Sequence, residues 1–149
     1  MVVNFTGIYS HNIDSKGRIA VPAKFREALG DTFEVTNGLD GCLFVFTSEN
    51  WDKFSSKLQS LPMIGPSGRE NRRLARYFLS SAVDVEPDKL GRILLPQALR
   101  EHAKLLKDCV SIGVGSRIEI WSKENWEKHS AFDDIDELEM RMAESGLEF

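Results

Sequence analysis

No stretch of these 149 residues is apolar for the ~18–20 positions that a bilayer-spanning helix requires, and the N-terminus has neither a basic n-region nor a hydrophobic h-region. The expectation is a cytoplasmic protein with no membrane partner. Cysteine is scarce: Cys42 and Cys109 stand alone inside apolar, strand-like runs, too few and too separated for a zinc site or a disulfide framework, so both read as small hydrophobes. The three histidines, His11, His102 and His129, have no ligand spacing, which argues against a metal. A Gly-rich phosphate loop, a Ser-His-Asp order and a Cys-His pairing are all missing, so no cofactor and no common nucleophilic chemistry is indicated. Nothing is low-complexity, and no linker is long enough to let two domains move freely.

An excess of positive charge is also lacking, since the net charge is −4. The sum hides an asymmetry. Residues 133–149 hold seven acids (Asp133, Asp134, Asp136, Glu137, Glu139, Glu144, Glu148) against Arg141 alone, a local charge of −6, which leaves the rest of the chain at +2. Screening limits the reach of such a tail to about 8 Å at physiological salt, so a basic face elsewhere is compatible with it.

What the chain does contain is one device written twice. Asp14-Ser15-Lys16-Gly17-Arg18-Ile19-Ala20-Val21-Pro22-Ala23-Lys24-Phe25-Arg26-Glu27 is matched by Asp88-Lys89-Leu90-Gly91-Arg92-Ile93-Leu94-Leu95-Pro96-Gln97-Ala98-Leu99-Arg100-Glu101, with Asp, Gly, Arg, Ile, Pro, Arg and Glu at equal spacing, 74 residues apart (14 to 88). Downstream, Glu49-Asn50-Trp51 matches Glu124-Asn125-Trp126 at 75 residues (51 to 126). The period exceeds the roughly 20–50 residues of solenoid units, so two copies suggest a pseudo-dimer whose equivalent loops meet near an internal two-fold axis.

Each copy predicts β, turn, β, short helix, β, turn, β, helix. Gly7 to Ile13 and Arg18 to Val21 read as a hairpin around the Asp-Ser-Lys-Gly turn, with Ala82 to Val85 and Arg92 to Leu95 as its repeat. Helices are expected over Ala23 to Leu29 and from Pro96 to about Leu105, where each proline suits a first turn. Strands follow at 32–36, 42–47, 109–114 and 117–121. A helix capped by Ser48 presents Trp51, Phe54, Leu58 and Leu61 on one face. Ser67-Gly68-Arg69-Glu70 reads as a capping box for a helix to about Leu79, and 133–143 reads as a helix with Ile135, Leu138 and Met142 as a thin apolar stripe. The domain expectation is a first repeat over 1–60, a connecting helix over 61–80, a second repeat over 81–132 and an acidic tail over 133–149.

The repeated turns place cations where a partner can meet them. An arginine at the mouth of a strand forks onto phosphate or a guanine edge, and glycine lets the backbone approach closely. The bland alternative is that Asp14 with Arg18, and Asp88 with Arg92, simply staple the turns. Asp14-Ser15-Lys16-Gly17-Arg18, its copy at Asp88 to Arg92 and the length near 150 residues closely resemble MraZ proteins, bacterial regulators related to the AbrB group of swapped-hairpin barrels.

That resemblance covers nearly the whole chain, from Phe5-Thr6-Gly7 through Trp126. It implies an α+β fold in which two AbrB-type hairpin repeats interlock into one pseudo-two-fold β-barrel with peripheral helices. It also implies a ring of copies of the chain, association with the nucleoid, and double-stranded DNA as partner. The DNA would be short direct repeats in the protein's own promoter, upstream of the division and cell-wall cluster. Carried over by position, the signature arginine is Arg18, with Arg92 as its second copy. The expected DNA-contacting set is Lys16, Arg18, Lys24, Lys89 and Arg92, with Asp14, Gly17, Asp88 and Gly91 as orienting residues, since a carboxylate facing phosphate would repel it. Leu90 stands where Lys16 stands in the first turn, which ranks repeat one above repeat two.

Arg69, Arg72, Arg73 and Arg76 form one stripe at i, i+3, i+4, i+7, either an extension of the DNA surface or a face for a neighbour's acids, those of the tail included. Trp51, Trp121 and Trp126 read as core or interface. Two alternatives belong to other classes. One is an interaction module such as an antitoxin, which normally carries one half per chain. The other is a carboxylate-dyad hydrolase, which fails because neither aspartate is followed directly by Ser/Thr-Gly and each has a cation close by.

Overall fold

A computed structural model of the chain describes residues 3–149, so the first two residues of repeat one lie outside the described residues. In chain order the elements are β1 (Ile8–Asn12), β2 (Arg18–Ala20), α1 (Ala23–Leu29), β3 (Phe33–Asn37), β4 (Leu43–Thr47), α2 (Ser48–Ser60), α3 (Gly68–Ser81), β5 (Val83–Val85), β6 (Arg92–Leu94), α4 (Gln97–His102), β7 (Asp108–Gly113), β8 (Ile118–Ser122), α5 (Lys123–His129) and α6 (Ile135–Glu144). All the strand pairs are antiparallel.

The sheet order β1-β7-β8-β4-β3-β5 reads the same from either end once each strand is exchanged for its repeat counterpart. The internal two-fold axis therefore passes between β4 and β8, where Phe44 lies opposite Glu119, and again through the separate ribbon β2-β6, where Ile19 lies opposite Ile93. Here the structure departs from the local hairpin expected of each repeat. β1 pairs with β7 and β5 with β3, while β2 and β6 pair with each other; β1 and β2 share only the bridge from Ile13 to Ile19.

The physical reason is burial. A three-residue hairpin standing alone is marginal in water, whereas the exchanged ribbon drives Ile19 and Ile93, each 1% exposed, into a shared core. Each fully buried isoleucine contributes about 1.5–3 kcal/mol relative to exposure. Two backbone bonds, Val21 N to Gly91 O at 2.9 Å and Leu95 N to Gly17 O at 2.9 Å, tie each strand exit to the other repeat's turn. The hydrogen bonds form an open six-stranded sheet and a two-stranded ribbon, not one closed sheet.

β4 (Leu-Phe-Val-Phe-Thr) is buried along its whole length because both its faces are covered. One face, with Leu43 and Val45, meets the ribbon, α1 and α4. The other, with Phe44 and Phe46, meets Leu58 of α2 and Phe78 of α3. Trp121 is buried and Trp51 and Trp126 are half-buried in this second cluster. Cys42 and Cys109 are free and buried. The Thr36 hydroxyl donates to Phe78 O at 2.8 Å, seating α3 on β3.

Several boundaries differ from expectation. Thr47, not Ser48, caps α2, accepting from Asn50 N at 3.0 Å. Ser67 makes no side-chain cap at α3, so the capping box is not used. α4 ends at His102, earlier than expected, because Lys104 turns the chain with φ 54°.

Candidate nucleic-acid interface

Each repeated turn is built around its aspartate. Asp14 accepts from Lys16 N (2.9 Å), from Arg18 N (2.9 Å) and from Arg18 Nε (2.8 Å). Asp88 does the same with Leu90 N (2.9 Å), Arg92 N (2.9 Å) and Arg92 Nε (3.0 Å). The backbone bond from Arg18, with the Arg18 guanidinium and the Lys16 amide adding to it, holds the Asp14 carboxyl down at about 2; Asp88 is lowered by the corresponding groups. Both acids are therefore ionised at neutral pH. Gly17 (φ 86°) and Gly91 (φ 78°) close the turns with a left-handed residue. The stapling interaction and an outward-facing role coexist, because only Nε of each arginine is bound to its aspartate. The two terminal amino groups stay available to fork onto an oxyanion.

The ribbon decides where the two arginines point. Side chains alternate along a strand, so with Ile19 and Ile93 buried, Arg18 and Ala20 share the opposite face with Arg92 and Leu94. Arg18 and Arg92 are diagonal neighbours on that face, roughly 8 Å apart at Cα from strand spacing and rise. Their side chains are 31% and 30% exposed. Lys16, Lys89 and Lys24 are exposed, the first two on the turns and the third on α1. The two acids are not a dyad, since each is bound within its own turn.

Two further cations belong to this site and were not in the expected set. Arg100 of α4 lays its guanidinium over Gly17, so that a Cβ there would come within 2.8 Å of its central carbon, and its Nε donates to Leu95 O at 3.0 Å. Arg26 of α1 lies over Gly91 in the same way and more closely. Each turn thus carries a guanidinium from the other repeat. Neither cation is in an ion pair among the described residues. Both arginines are shared members of the duplicated block; only the strand exchange reveals which turn each one reaches. The surroundings are unequal: the groove beside Arg100 also carries Lys104 and Lys128 with Glu101 and Glu124, whereas that beside Arg26 carries Glu27, Asp31 and Glu86. The second turn further exposes Leu90 (71%).

The α3 arginines lie on the face turned away from the core and all four are exposed. Arg73 pairs with Glu70 at 3.8 Å and Arg72 donates to Met63 O at 2.6 Å.

With this geometry in place, comparison with known proteins is specific. A family model described as "MraZ protein, putative antitoxin-like" matches twice, over residues 4–74 and 78–144. A "Transcriptional regulator MraZ" of Lachnoclostridium phytofermentans is 54% identical over 145 residues, covering 97% of this chain and 99% of that one. A protein of the same name from Caldanaerobacter subterraneus subsp. tengcongensis is 52% identical over 129 residues, covering 87% and 88%. Another from Alkaliphilus oremlandii is 47% identical over 145 residues, covering 96% and 99%.

Proposed function

The chain belongs to the MraZ family, and from that premise we propose that it is a transcriptional regulator that binds double-stranded DNA through the outward face of the β2-β6 ribbon. The observation that carries this reading is the pair Arg18 and Arg92, held on one face by the buried Ile19-Ile93 contact, each fixed by Nε to an aspartate with its outer guanidinium edge free. Fixing the side chain before DNA arrives removes part of the ordering cost of binding. In this reading the exposed Lys16 and Lys89 on the turns and Lys24 on α1 add phosphate-binding charge, while Arg26 and Arg100 supply the cross-repeat charge. The more basic surroundings of the first turn support ranking it above the second.

The finer reading follows the family. The ribbon and the curved sheet enclose one core as an AbrB-like interlocked barrel, with repeats over 1–60 and 81–132 joined by 61–80 and followed by the tail 133–149. Copies of the chain form a closed ring whose ribbon faces engage successive direct repeats in the protein's own promoter, ahead of the division and cell-wall genes. The protein works in the cytoplasm on the nucleoid. We read it as a regulator and not an enzyme, and both signature carboxylates are engaged by turn amides and arginines rather than by each other. Multivalency explains why one chain with two short basic turns would suffice, since linked sites raise avidity without new contacts.

The test is a footprint on the region upstream of the protein's own reading frame, at several salt concentrations. Protection of regularly spaced repeats that weakens steeply between about 50 and 200 mM salt is expected from neutralising several phosphates. Equal protection of unrelated DNA, or none, would overturn the reading.

A further inference from the structure

The internal two-fold is also broken at the helices that follow the sheet. After each second strand pair come two helices, α2 and α3 in the first half, α5 and α6 in the second. α3 is seated on β3 through Thr36 and Ser81 and buries Phe78. α6, its counterpart in element order, buries no residue. Of its stripe, Ile135 and Leu138 are 62% and 45% exposed and Met142 is half-buried, with Phe132 and Leu147 at its ends 61% and 62% exposed.

The chain length explains why α6 does not take the equivalent seat at home. From the start of α2 to the start of α3 the chain has 20 residues (48 to 67), and from the start of α5 to the start of α6 only 12 (123 to 134). α2 has 13 residues and α5 has 7, a loss of about 9 Å of helix at 1.5 Å per residue.

We propose that α6 is a docking arm that seats its apolar stripe and flanking carboxylates on the arginine face of α3 in a second copy of this chain. Charge commits the arm to that face. The tail carries six net negative charges, whereas Arg69, Arg72, Arg73 and Arg76 line up along α3 with Glu70 as the one acid paired to them among the described residues. The lengths agree as well: residues 69 to 76 span about 10 Å, and the ten residues of α6 span about 15 Å. Ile64, 84% exposed in the loop that receives Arg72 at Met63 O, offers apolar surface at the rim.

Because the arm lies in the second half and its seat in the first, the contact joins unlike surfaces. Such head-to-tail contacts propagate until they close a ring or continue as a filament. The inference rests on the reading that the chain self-associates, and adds the surfaces that do it.

The experiment is light scattering on the full chain, with helical content checked by circular dichroism. Arg69→Glu with Arg76→Glu, and separately Asp136→Lys with Glu139→Lys, should each lower the mean mass at least twofold. Leu138→Asp should do the same, since Leu138 is exposed on α6. Combining the two charge reversals should restore the parental mass, and Arg18→Ala should leave it unchanged. A parental mass kept by the reversed variants would overturn this contact while self-association stood. A monomeric parent would remove both. Reversed α3 arginines that lost DNA binding at unchanged mass would assign the stripe to DNA and refute the docking arm.

Discussion

Ile19→Ala and Ile93→Ala test the interlock on which the site depends. Each side chain is 1% exposed at the centre of the ribbon and directly opposite the other. Truncation removes the transfer contribution and leaves a cavity, a combined loss of about 2–5 kcal/mol for a buried isoleucine. At this chain length 1 kcal/mol moves the melting temperature by roughly 2–4 °C, so either variant should melt about 4–20 °C lower. The sharper quantity is their coupling. If the repeats folded as independent local hairpins, the two sites would be distant and their effects would add within about 0.3–0.5 kcal/mol. In the exchanged ribbon they share one contact, so Ile19→Ala combined with Ile93→Val should depart from additivity by more than about 0.5 kcal/mol. Urea melts of Ile19→Ala, of Ile93→Val and of the double supply the numbers. Strict additivity, or a change below about 1 kcal/mol for both alanines, would refute the pairing of β2 with β6.

Three other outcomes are expected. Gly91→Ala puts a methyl where the Arg26 guanidinium lies and strains a φ of 78°, so thermal melts should show a loss of about 1–3 kcal/mol, with Gly17→Ala milder because its neighbour stands farther off. Glu34, across from Asp84 on β3-β5, is raised from 4.5 to about 7 by burial, then by Asp84 and Asp52. The fold therefore holds that proton more tightly, and its contribution, complete below 4.5, is lost as pH rises through 7. Glu34→Gln should exceed the parent in stability at about pH 8 and match it near pH 4.5; comparing the pair cancels His11, whose burial lowers it to about 4 and acts in the opposite direction. Cys42 and Cys109, pushed up to about 12 and 11 chiefly by burial, should resist a thiol reagent at pH 8 and react at once in denaturant.

The local devices were legible because they are written in neighbouring residues. Asp-x-x-Gly-Arg predicts the stapled turn, Pro22 and Gly30 bound α1, and the outward placement of Arg18 follows from the buried Ile19 beside it. Strand pairing was not legible. β2 has the same alternation whether it folds back on β1 or crosses to β6, and the difference lies in which isoleucines end up touching. That one ambiguity hid Arg26 and Arg100, which lean on turns more than sixty residues away in sequence. Ser67 had the residue pattern of a capping box, yet its backbone (φ −97°, ψ 0°) points the hydroxyl elsewhere. The isolation of α6 was invisible too, since its stripe reads like that of a packed helix; the short α5 was the signal.

The claim that the ribbon arginines meet DNA is tested most directly by the salt dependence of binding for the parent, Arg18→Ala and Arg92→Ala on the same promoter fragment. Each arginine that neutralises a phosphate contributes a slope of about −0.9 in log K against log salt. The account predicts that Arg18→Ala loses specific binding and flattens the slope by about one unit, that Arg92→Ala does so less severely, and that both keep the parent's melting temperature within a few degrees. Parental affinity and slope in both variants would contradict it.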